Sequence, residues 1–330
     1  MKLRRRQLLR LAVGAAALPA LPRIASAQAF PTRPVTLVVP FGAGGPTDTI
    51  GRILAQGMQE SLGQPVVVEN VSGASGTIAV GRVVRAAADG YTFVLGGWAT
   101  HVLNGSMFDL PYDLEKDFEP ISLVCYDSEL IVARQSMPAI NLKEFIAWLK
   151  ANPDKATQGT SGAGAFSSVV GQFFQRETGT HVQLVPYRGG LGPAMLDLVA
   201  GRIDFMIDLP GDCLSQLHAG TIRAYAVMSK TRLKIAPDIP TVDEAGLPGL
   251  YANAWQAAFL PKGVSKDIVA KLNTAVVAAL ADPAVRRRLA EIGEEVFPRE
   301  EQTPEATRAL QKAEIAKWWP IIKAAGIKIE

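Results

Sequence analysis

The sequence predicts an α/β protein of two lobes, each a mixed, mostly parallel sheet flanked by helices with a cleft between the lobes. Short β-branched runs alternate with helical segments, which is the pattern of parallel strands joined by right-handed crossovers. The order strand, glycine-rich turn, helix occurs in the first part of the chain and again in the middle. A chain of 330 residues is long enough for two domains of ordinary size.

The first part of the chain begins with the β-branched run Val35–Val39, which predicts a buried strand. A glycine-rich turn follows, and a helix is predicted over Asp48–Leu62. Gly63 ends this helix, because glycine tolerates a positive φ. A second turn at Asn70–Gly76 and a further helix then lead to the strand Tyr91–Leu95.

The middle of the chain repeats this order. The turn Gly159–Ser168 precedes a helix that Gly179 ends, and His181–Val185 is the next predicted strand. A second turn, Pro186–Gly190, and a short helix lead to the strand Ile203–Asp208. Ligands of parallel sheets bind beyond the carboxyl ends of the strands, so facing turns of two lobes would form a cleft.

The lobe boundaries follow from the segments that link the two patterns. Ile121–Cys125 and Leu130–Ala133 flank the first passage, and Trp255–Leu260 marks the return. The C-terminal helices, the first of which Ser265 can cap, are assigned to lobe 1. Lobe 1 is therefore predicted to be discontinuous, with residues 28–128 and 251–330, and lobe 2 to comprise residues 129–250.

Residues 1–27 have the features of an export signal. A basic start is followed by the apolar run Leu11–Leu21 and by the small-x-small site Ala25–Ala27. The pair Arg5-Arg6 resembles a twin-arginine signal, and an ordinary secretory signal with a very basic start is the alternative. We therefore expect a periplasmic location, and no later stretch has the length of a membrane helix.

Removal of this segment changes the charge of the chain. Six of the 34 basic residues and none of the 31 acidic residues lie in it, so 28 basic and 31 acidic residues remain, with a net charge of −3. The sequence has no basic patch of the kind that nucleic-acid binding requires. Cys125 and Cys213 are too few for a disulfide scaffold, and we expect two separate buried thiols, although one bridge would be possible.

Two glycine- and serine-rich turns, Pro40–Asp48 and Gly159–Ser168, are the strongest functional signal. Amides at a helix N-terminus favour bound negative charge, and two such turns suggest two walls around an anion. Neither is a dinucleotide fingerprint, because Thr47 and Ser167 stand where G-x-G-x-x-G needs its last glycine. The Walker motif and the hydrolase elbow G-x-S-x-G are absent from both turns.

The polar side chains of these turns suit binding better than catalysis. Hydroxyls on Thr47, Thr100, Ser161, Ser167 and Ser168 are candidate donors. The guanidinium of Arg188 suits a carboxylate, with a surface residue or an interlobe ion pair as the alternative. Asp48 is a candidate helix cap that also orders the first turn, and Asp208, at a strand end, is a candidate specificity residue for a ligand hydroxyl or ammonium.

No catalytic residue, metal ligand or cofactor is predicted, because the three histidines lack metal-ligand spacing and no nucleophile constellation is present. An exported enzyme is the rival interpretation. It would need a general base in the cleft, for which Asp48, His101 and Asp208 are the candidates.

The residues resemble the substrate-binding receptors of tripartite tricarboxylate transporters, often called Bug receptors. The resemblance runs from about Phe30 to the C-terminus and rests on several motifs in order. They are Pro40–Arg52, Asn70–Gly76, Asp89–Tyr91, Tyr112–Ile121, Gly159–Ser168, Val185–Gly190, Asp238–Gly246 and Trp255–Pro261. Ala43 replaces a frequent proline, Arg188 a frequent lysine, and Phe166 stands where small or hydroxylated residues are common.

The resemblance implies a type II-like periplasmic binding protein whose two glycine turns hold ligand carboxylates mostly through backbone groups. Phe166 would narrow the cleft or favour an apolar ligand body. Together, the residues and the resemblance predict one set of ligand-binding positions. They are Phe41, Gly42, Ala43, Gly44, Gly45, Thr47, Asp48, Ala99, Thr100, Ser161, Gly162, Ala163, Gly164, Phe166, Ser167, Arg188 and Asp208.

The predicted function is capture of a small dicarboxylate, tricarboxylate or aromatic acid by closure of the two lobes. The resemblance implies delivery to the membrane subunits of a tripartite tricarboxylate-type transporter, with the receptor acting as a monomer. A sensor that binds the same ligand and signals is the alternative that the sequence leaves open.

Overall fold

The computed structural model describes residues 30–162, 165–187 and 190–326. The predicted export signal, residues 1–27, lies outside this part of the chain. The strands are β1 Val35–Val39, β2 Val66–Asn70, β3 Thr92–Gly97, β4 Phe118–Ser128, β5 Leu130–Arg134, β6 Thr157–Thr160, β7 Gln183–Pro186, β8 Phe205–Asp208, β9 Ile222–Val227, β10 Asn253–Pro261 and β11 Glu295–Val296.

Helices flank the strands on both sides of the sheets. They are α1 Pro46–Leu62, α2 Thr77–Val84, α3 Asn104–Met107, α4 Leu142–Ala151, α5 Phe166–Thr178, α6 Leu191–Val199, α7 Pro210–His218, α8 Lys266–Ala281, α9 Pro283–Glu291 and α10 Pro304–Ala324. Across the described residues, no single helix has the length and apolar character needed to cross a membrane, although the bent pair α8 and α9 meets that test on length and composition alone.

The strands form two mixed sheets, so the predicted α/β class with two flanked sheets is confirmed. One sheet has six strands in the order β11-β4-β10-β3-β1-β2, and the other has five in the order β7-β6-β8-β5-β9. Parallel pairing joins β1 to β2 and β3, and β6 to β7 and β8. The antiparallel share is larger than the sequence predicted, because β4, β5 and β10, which we expected as passages between lobes, are full sheet strands.

The chain passes between the sheets at two points that lie side by side, which we call the lobe crossing. It leaves the first sheet at Glu129, between β4 and β5, and returns through the segment that joins β9 to β10. The amide of Glu129 donates to the carbonyl of Ala252 at 3.2 Å, and the amide of Met228 donates to the carbonyl of Glu129 at 2.7 Å. Sheet membership therefore supports the proposed division into residues 28–128 with 251–330 and residues 129–250.

The apolar core is shared by the two lobes on one face only. There a single buried cluster includes Trp98 and Trp255 near the first sheet and Phe145 and Phe205 near the second. On the opposite face, one cluster is built around α1 and α8 in lobe 1, and a separate one around α6 and β8 in lobe 2. Apolar contact between lobes is therefore concentrated on the face that carries α5 and α10.

Several helix ends follow the predicted signals. Gly63 and Gly179 adopt φ values of 64° and 62° immediately after α1 and α5, as glycine C-caps do. The side chain of Ser265 accepts a hydrogen bond from the amide of Ile268 and caps α8. The helices α4 and α7 were not predicted from the sequence.

The cap at Ser265 gives a stability prediction. Ser265→Ala removes the acceptor for the first-turn amides of α8 and should lower the free energy of unfolding by about 1 kcal/mol. Ser265→Asp, which restores an acceptor, should keep most of the stability. Urea unfolding followed by circular dichroism measures both, and an equal loss in the two variants would contradict the assigned cap.

Candidate ligand-binding site

Three segments of lobe 1 meet at one edge of its sheet. Because β1, β2 and β3 are parallel, their carboxyl ends lie together and place the first glycine turn beside Gly73–Gly76 and Trp98–Thr100. Gly76 has a φ of 87°, and a Cβ there would lie 2.9 Å from Thr100 Cγ2 and 3.0 Å from Pro40 Cβ. Glycine is therefore required for this close packing.

Asp48 organises the first turn. Its carboxylate is 2 % exposed and accepts hydrogen bonds from the Gly44 amide at 2.8 Å, Arg52 Nε at 2.9 Å and Asn70 Nδ2 at 2.9 Å. Asn70 Nδ2 also donates to the carbonyl of Phe41 at 3.1 Å. The hydrogen bond from Arg52, more than any other contact, lowers the pKa of Asp48 to about 2. The carboxylate thus ties both ends of the turn to β2.

The amides at the start of α1, next to this turn, remain available to an anion. The N-cap of α1 is Gly45, which supplies no side-chain acceptor, and the Thr47 and Asp48 amides lie in the first helical turn, where no intrahelical acceptor exists. Gly42, Ala43 and Gly44 are exposed, whereas Phe41 and Gly45 are half-buried. The predicted first wall is therefore an exposed loop at a positively polarised helix end.

The second turn is ordered by its own serines. The Ser161 amide donates to Ser167 Oγ at 3.0 Å, and the two hydroxyls lie 3.0 Å apart. Ser168 Oγ donates to the carbonyl of Gly162 at 2.5 Å. Ala165, the N-cap of α5, makes no side-chain cap. Ser167 and Ser168 are buried, so their hydroxyls build the turn, whereas the half-buried Ser161 lies nearer the surface.

Three predicted residues, Ala163, Gly164 and Arg188, lie outside the described part of the chain. The other predicted positions in lobe 2 are Ser161, Gly162, Phe166, Ser167 and Asp208. All of them follow β6 or end β8, which are parallel neighbours. Their common location at the carboxyl edge of the second sheet agrees with the expected geometry of such sheets.

An aromatic contact shows that the two edges face each other. The rings of Trp98, directly after β3, and Phe166, the first residue of α5, meet edge to face with centroids 4.3 Å apart. Trp318 of α10 packs behind Trp98 at 5.3 Å and also contacts Phe173 of α5 at 5.1 Å. The turn of lobe 2 is thereby positioned across from the turn of lobe 1.

Thr100 and His101 belong to the interior. Thr100 is 1 % exposed, and its Oγ1 accepts from the Gly97 amide and lies 3.0 Å from His101 Nδ1. The ring of His101 stacks on Phe259 at 4.0 Å, and burial lowers its pKa to about 3. His101 is therefore a neutral core residue, and the suggestion that it is a cleft base is wrong. Ala99, which precedes Thr100, is exposed.

Asp208, predicted as a specificity residue at a strand end, is deeply buried. It is 1 % exposed, and Oδ1 accepts from the Leu209 amide at 2.8 Å. Its Oδ2 has no hydrogen-bond partner among the described residues. Burial, and then the charge of Asp212, raise the pKa of Asp208 to about 7. The carboxyl lies beside the lobe crossing, since Asp208 pairs with Leu130.

The predicted set omitted the turn Gly73–Gly76 and Trp98. Ala74 and Ser75 have φ values of 45° and 52°, a left-handed conformation that is costly for residues with a Cβ. Asn104 Nδ2 donates to the carbonyl of Ser75 at 2.9 Å and holds the turn. The same argument that selected the other two glycine turns would have selected this one. Trp98 gave only a weaker signal, a large aromatic directly after a strand.

The fold and the two facing turns define a two-lobed solute-binding protein. The family profile described as tripartite tricarboxylate transporter family receptor matches residues 50–327. A relative from Agrobacterium vitis, the UPF0065 protein in the TAR-I ttuE-ttuC' intergenic region, is 38 % identical over 93 % of this chain and 88 % of its own length. Protein BugT of Bordetella pertussis is 34 % identical over 92 % of this chain and 93 % of its own length.

Solved structures agree with this assignment. MatC from Rhodopseudomonas palustris with bound malate is 38 % identical, covers 89 % of this chain and 100 % of its own, and has a TM-score of 0.71. Periplasmic binding protein BugD is 39 % identical, covers 91 % of this chain and 100 % of its own, and has a TM-score of 0.71. R. palustris Rpa4515 with adipate is 35 % identical, covers 91 % of this chain and 100 % of its own, and has a TM-score of 0.73. This chain belongs to the tripartite tricarboxylate transporter receptor family, a family of periplasmic solute-binding receptors.

The network around Asp48 gives a prediction with a defined pH dependence. Asp48→Asn should lower the free energy of unfolding at pH 7 by about 2 kcal/mol, because hydrogen bonds to a charged acceptor are lost. Since the folded-state pKa of Asp48 is lowered from 3.8 to about 2, the ionised carboxylate stabilises the fold above pH 3.8, and this contribution is lost as pH falls through about 2.

Chemical unfolding at pH 7 and pH 2 measures the difference between wild type and Asp48→Asn, which should shrink at the lower pH. Asp267→Asn is the matched control, because Asp267 is exposed in the first turn of α8 and tests the helix dipole without the network. A loss for Asp267→Asn as large as that for Asp48→Asn would contradict the role assigned to the network.

Proposed function

We propose that this receptor captures a small carboxylate between its lobes and delivers it to the membrane subunits of a tripartite tricarboxylate-type transporter. The observation that carries the proposal is the pair of helix N-termini, α1 and α5, without side-chain caps, brought face to face by the Trp98–Phe166 contact. The solved structures of relatives with malate and with adipate support a carboxylate as the bound anion.

Backbone amides make most of the proposed contacts to the ligand. Amides of Gly42, Ala43, Thr47 and Asp48 in lobe 1 and of Gly162, Phe166 and Ser167 in lobe 2 are the proposed donors, and charge-assisted hydrogen bonds to a carboxylate are the stronger kind. Arg52 is engaged with Asp48 at 2.9 Å, so it neutralises that carboxylate instead of the ligand. Arg188 remains the proposed basic contact from lobe 2.

Closure of the lobes is the proposed mechanism. The two passages of the lobe crossing lie outside the strands and are hydrogen-bonded to each other, which allows rotation there without loss of either sheet. A ligand that contacts both walls stabilises the closed arrangement over the open one. We propose that the receptor acts as a monomer, is exported by the signal in residues 1–27 and catalyses no reaction.

The first experiment is isothermal titration calorimetry with a panel of dicarboxylates, tricarboxylates and aromatic acids. We expect at least one to bind. The double variant Thr47→Leu with Ser161→Leu should weaken that binding at least about tenfold, because two bulky side chains obstruct both walls and an equilibrium constant changes tenfold per 1.4 kcal/mol.

A matched double variant, Ser61→Leu with Thr274→Leu, places the same substitutions at exposed helical positions of lobe 1 and should leave affinity unchanged. Absence of binding by every acid in the panel would contradict the carboxylate proposal. Equal losses in the two double variants would contradict the placement of the site.

Phe166 gives a prediction about ligand length. Phe166→Ala removes the ring contact with Trp98, and a pair of this kind contributes about 1 kcal/mol. We expect affinity for a short dicarboxylate such as malate to fall several-fold, and affinity for the longer adipate to fall less or to rise, because the cleft becomes longer.

Phe173→Ala is the control, since Phe173 contacts Trp318 at 5.1 Å seven residues further along α5. It should weaken both acids equally by weakening lobe contact alone. Titration of malate and adipate into each variant makes the comparison. The length prediction is wrong if Phe166→Ala also weakens both acids equally.

A further inference from the structure

Five carboxyl groups lie together at the lobe crossing, and we call them the carboxyl cluster. Asp127 and Glu294 come from lobe 1, Glu129 is the crossing residue itself, and Asp208 and Asp212 come from the end of β8 and the first turn of α7. Glu129 and Asp208 are 2 % and 1 % exposed. The cluster therefore collects like charges from both lobes, with Glu129, Asp208 and Glu294 buried, Asp127 half-buried and Asp212 exposed at its edge.

The carboxyl cluster lacks the partners that buried carboxylates normally have. One oxygen each of Asp127, Glu129, Asp208 and Glu294 is buried with no hydrogen-bond partner among the described residues. An ionised carboxylate in such a place is strongly disfavoured, and the usual response of the group is to bind a proton. No group of three or more of the described acidic, histidine and cysteine side chains is arranged to hold a metal ion.

Burial and neighbouring charges further favour the protonated form of these carboxyl groups. Burial and the charge of Asp208 raise the pKa of Glu129, and burial and the charge of Glu294 raise that of Asp127. Burial raises the pKa of Glu294 to about 7, against an opposing hydrogen bond from Cys125. The buried thiol of Cys213, on α7, faces Asp208 and Glu129. The two cysteines are free thiols, as the sequence analysis expected.

Basic side chains are near but do not compensate the cluster. Lys234, Arg286 and Arg287 line a crevice of about 240 Å³ together with Glu294, yet Oε2 of Glu294 has no hydrogen-bond partner among the described residues. The N-terminus of α7 supplies a partial positive charge, and the Leu209 amide donates to Asp208. These contributions can stabilise one negative charge, not several.

The cluster exists because the lobes meet at this point. A Cβ on Gly293, in lobe 1, would lie 3.8 Å from the amide nitrogen of Gly211, in α7 of lobe 2. Asp212 is close enough to Asp127 to raise its pKa, although the two belong to different lobes. A rotation at the lobe crossing would separate Asp208 and Asp212 from Asp127 and Glu294 and admit water.

We infer that the carboxyl cluster is a proton-binding site whose occupancy is coupled to the arrangement of the lobes. Protons bind when the lobes meet as seen here and leave when the lobes separate. The inference rests on the proposed closure mechanism and adds the proton as a second ligand whose binding depends on closure. By linkage, a carboxylic acid that binds the closed lobes must be accompanied by proton uptake.

The sign of the pH dependence follows directly. Because the pKa of Asp208 and of Glu294 is raised to about 7 in this arrangement, the arrangement is favoured at low pH and loses stability as pH rises through about 7. Because these carboxyls have ordinary, lower pKa values once the lobes separate, uptake of one proton makes affinity fall about tenfold per pH unit as pH rises toward 7, and affinity levels off above 7.

Small-angle X-ray scattering of the ligand-free chain at pH 5.5 and 8.5 tests the inference without any ligand. We expect a compact particle at pH 5.5 and a larger radius of gyration at pH 8.5. The double variant Glu129→Gln with Glu294→Gln, which removes two charges but keeps shape, should stay compact at both values. Glu60→Gln, at an exposed position of α1, should behave like wild type.

A radius that does not change with pH in the wild type, or a double variant that responds as the wild type does, would overturn the inference. If the double variant does not fold, scattering of the single variant Glu129→Gln and calorimetry on the wild type test the inference. Titration of the bound acid at pH 7 in phosphate and in Tris reports the protons taken up, and we expect about one. Zero uptake overturns the coupling, while an acid panel that never binds removes only the carboxylate proposal.

Discussion

The hydrogen bonds of the lobe crossing are the constraint on which the rest of the structure depends. The backbone of Glu129 is hydrogen-bonded to Met228 and Ala252, so the outgoing and returning segments of the chain lie side by side between the two sheets. With the passages held together, the carboxyl edges of both sheets must face each other. The glycine turns, the Trp98–Phe166 contact and the carboxyl cluster all lie where that geometry places them.

The same chemical group behaves in opposite ways at two places in this cleft. Asp48 is buried with three donors, one of them charged, and its pKa is lowered. Asp208 is equally buried with one backbone donor and acidic neighbours, and its pKa is raised. The first carboxylate is thus a permanent part of the binding turn, whereas the second can change its charge near neutral pH.

The sequence predicted the parts of the fold that are local. The runs around β1, α1 and the cap at Ser265 carry their own signals in hydrophobic pattern, glycine and side-chain acceptors. It did not predict that Thr100 and His101 would be interior, because that depends on Phe259, which lies far along the chain and stacks on His101. Nor did the sequence predict that acidic residues meet at the lobe crossing, because Asp127, Glu129 and Glu294 come together only after β4 and β11 pair.

If backbone amides bind the carboxylate as proposed and side chains contact the rest of the ligand, one scaffold can take different acids. Amides at the N-termini of α1 and α5 would then bind a carboxylate group whatever body it is attached to, because they respond to charge and not to shape. Selectivity would come from side chains that contact the body, and we propose Phe166 for this role, since it begins α5 and packs against Trp98. Because the same contact joins the lobes, we expect a change there to alter both the choice of ligand and the energy of closure.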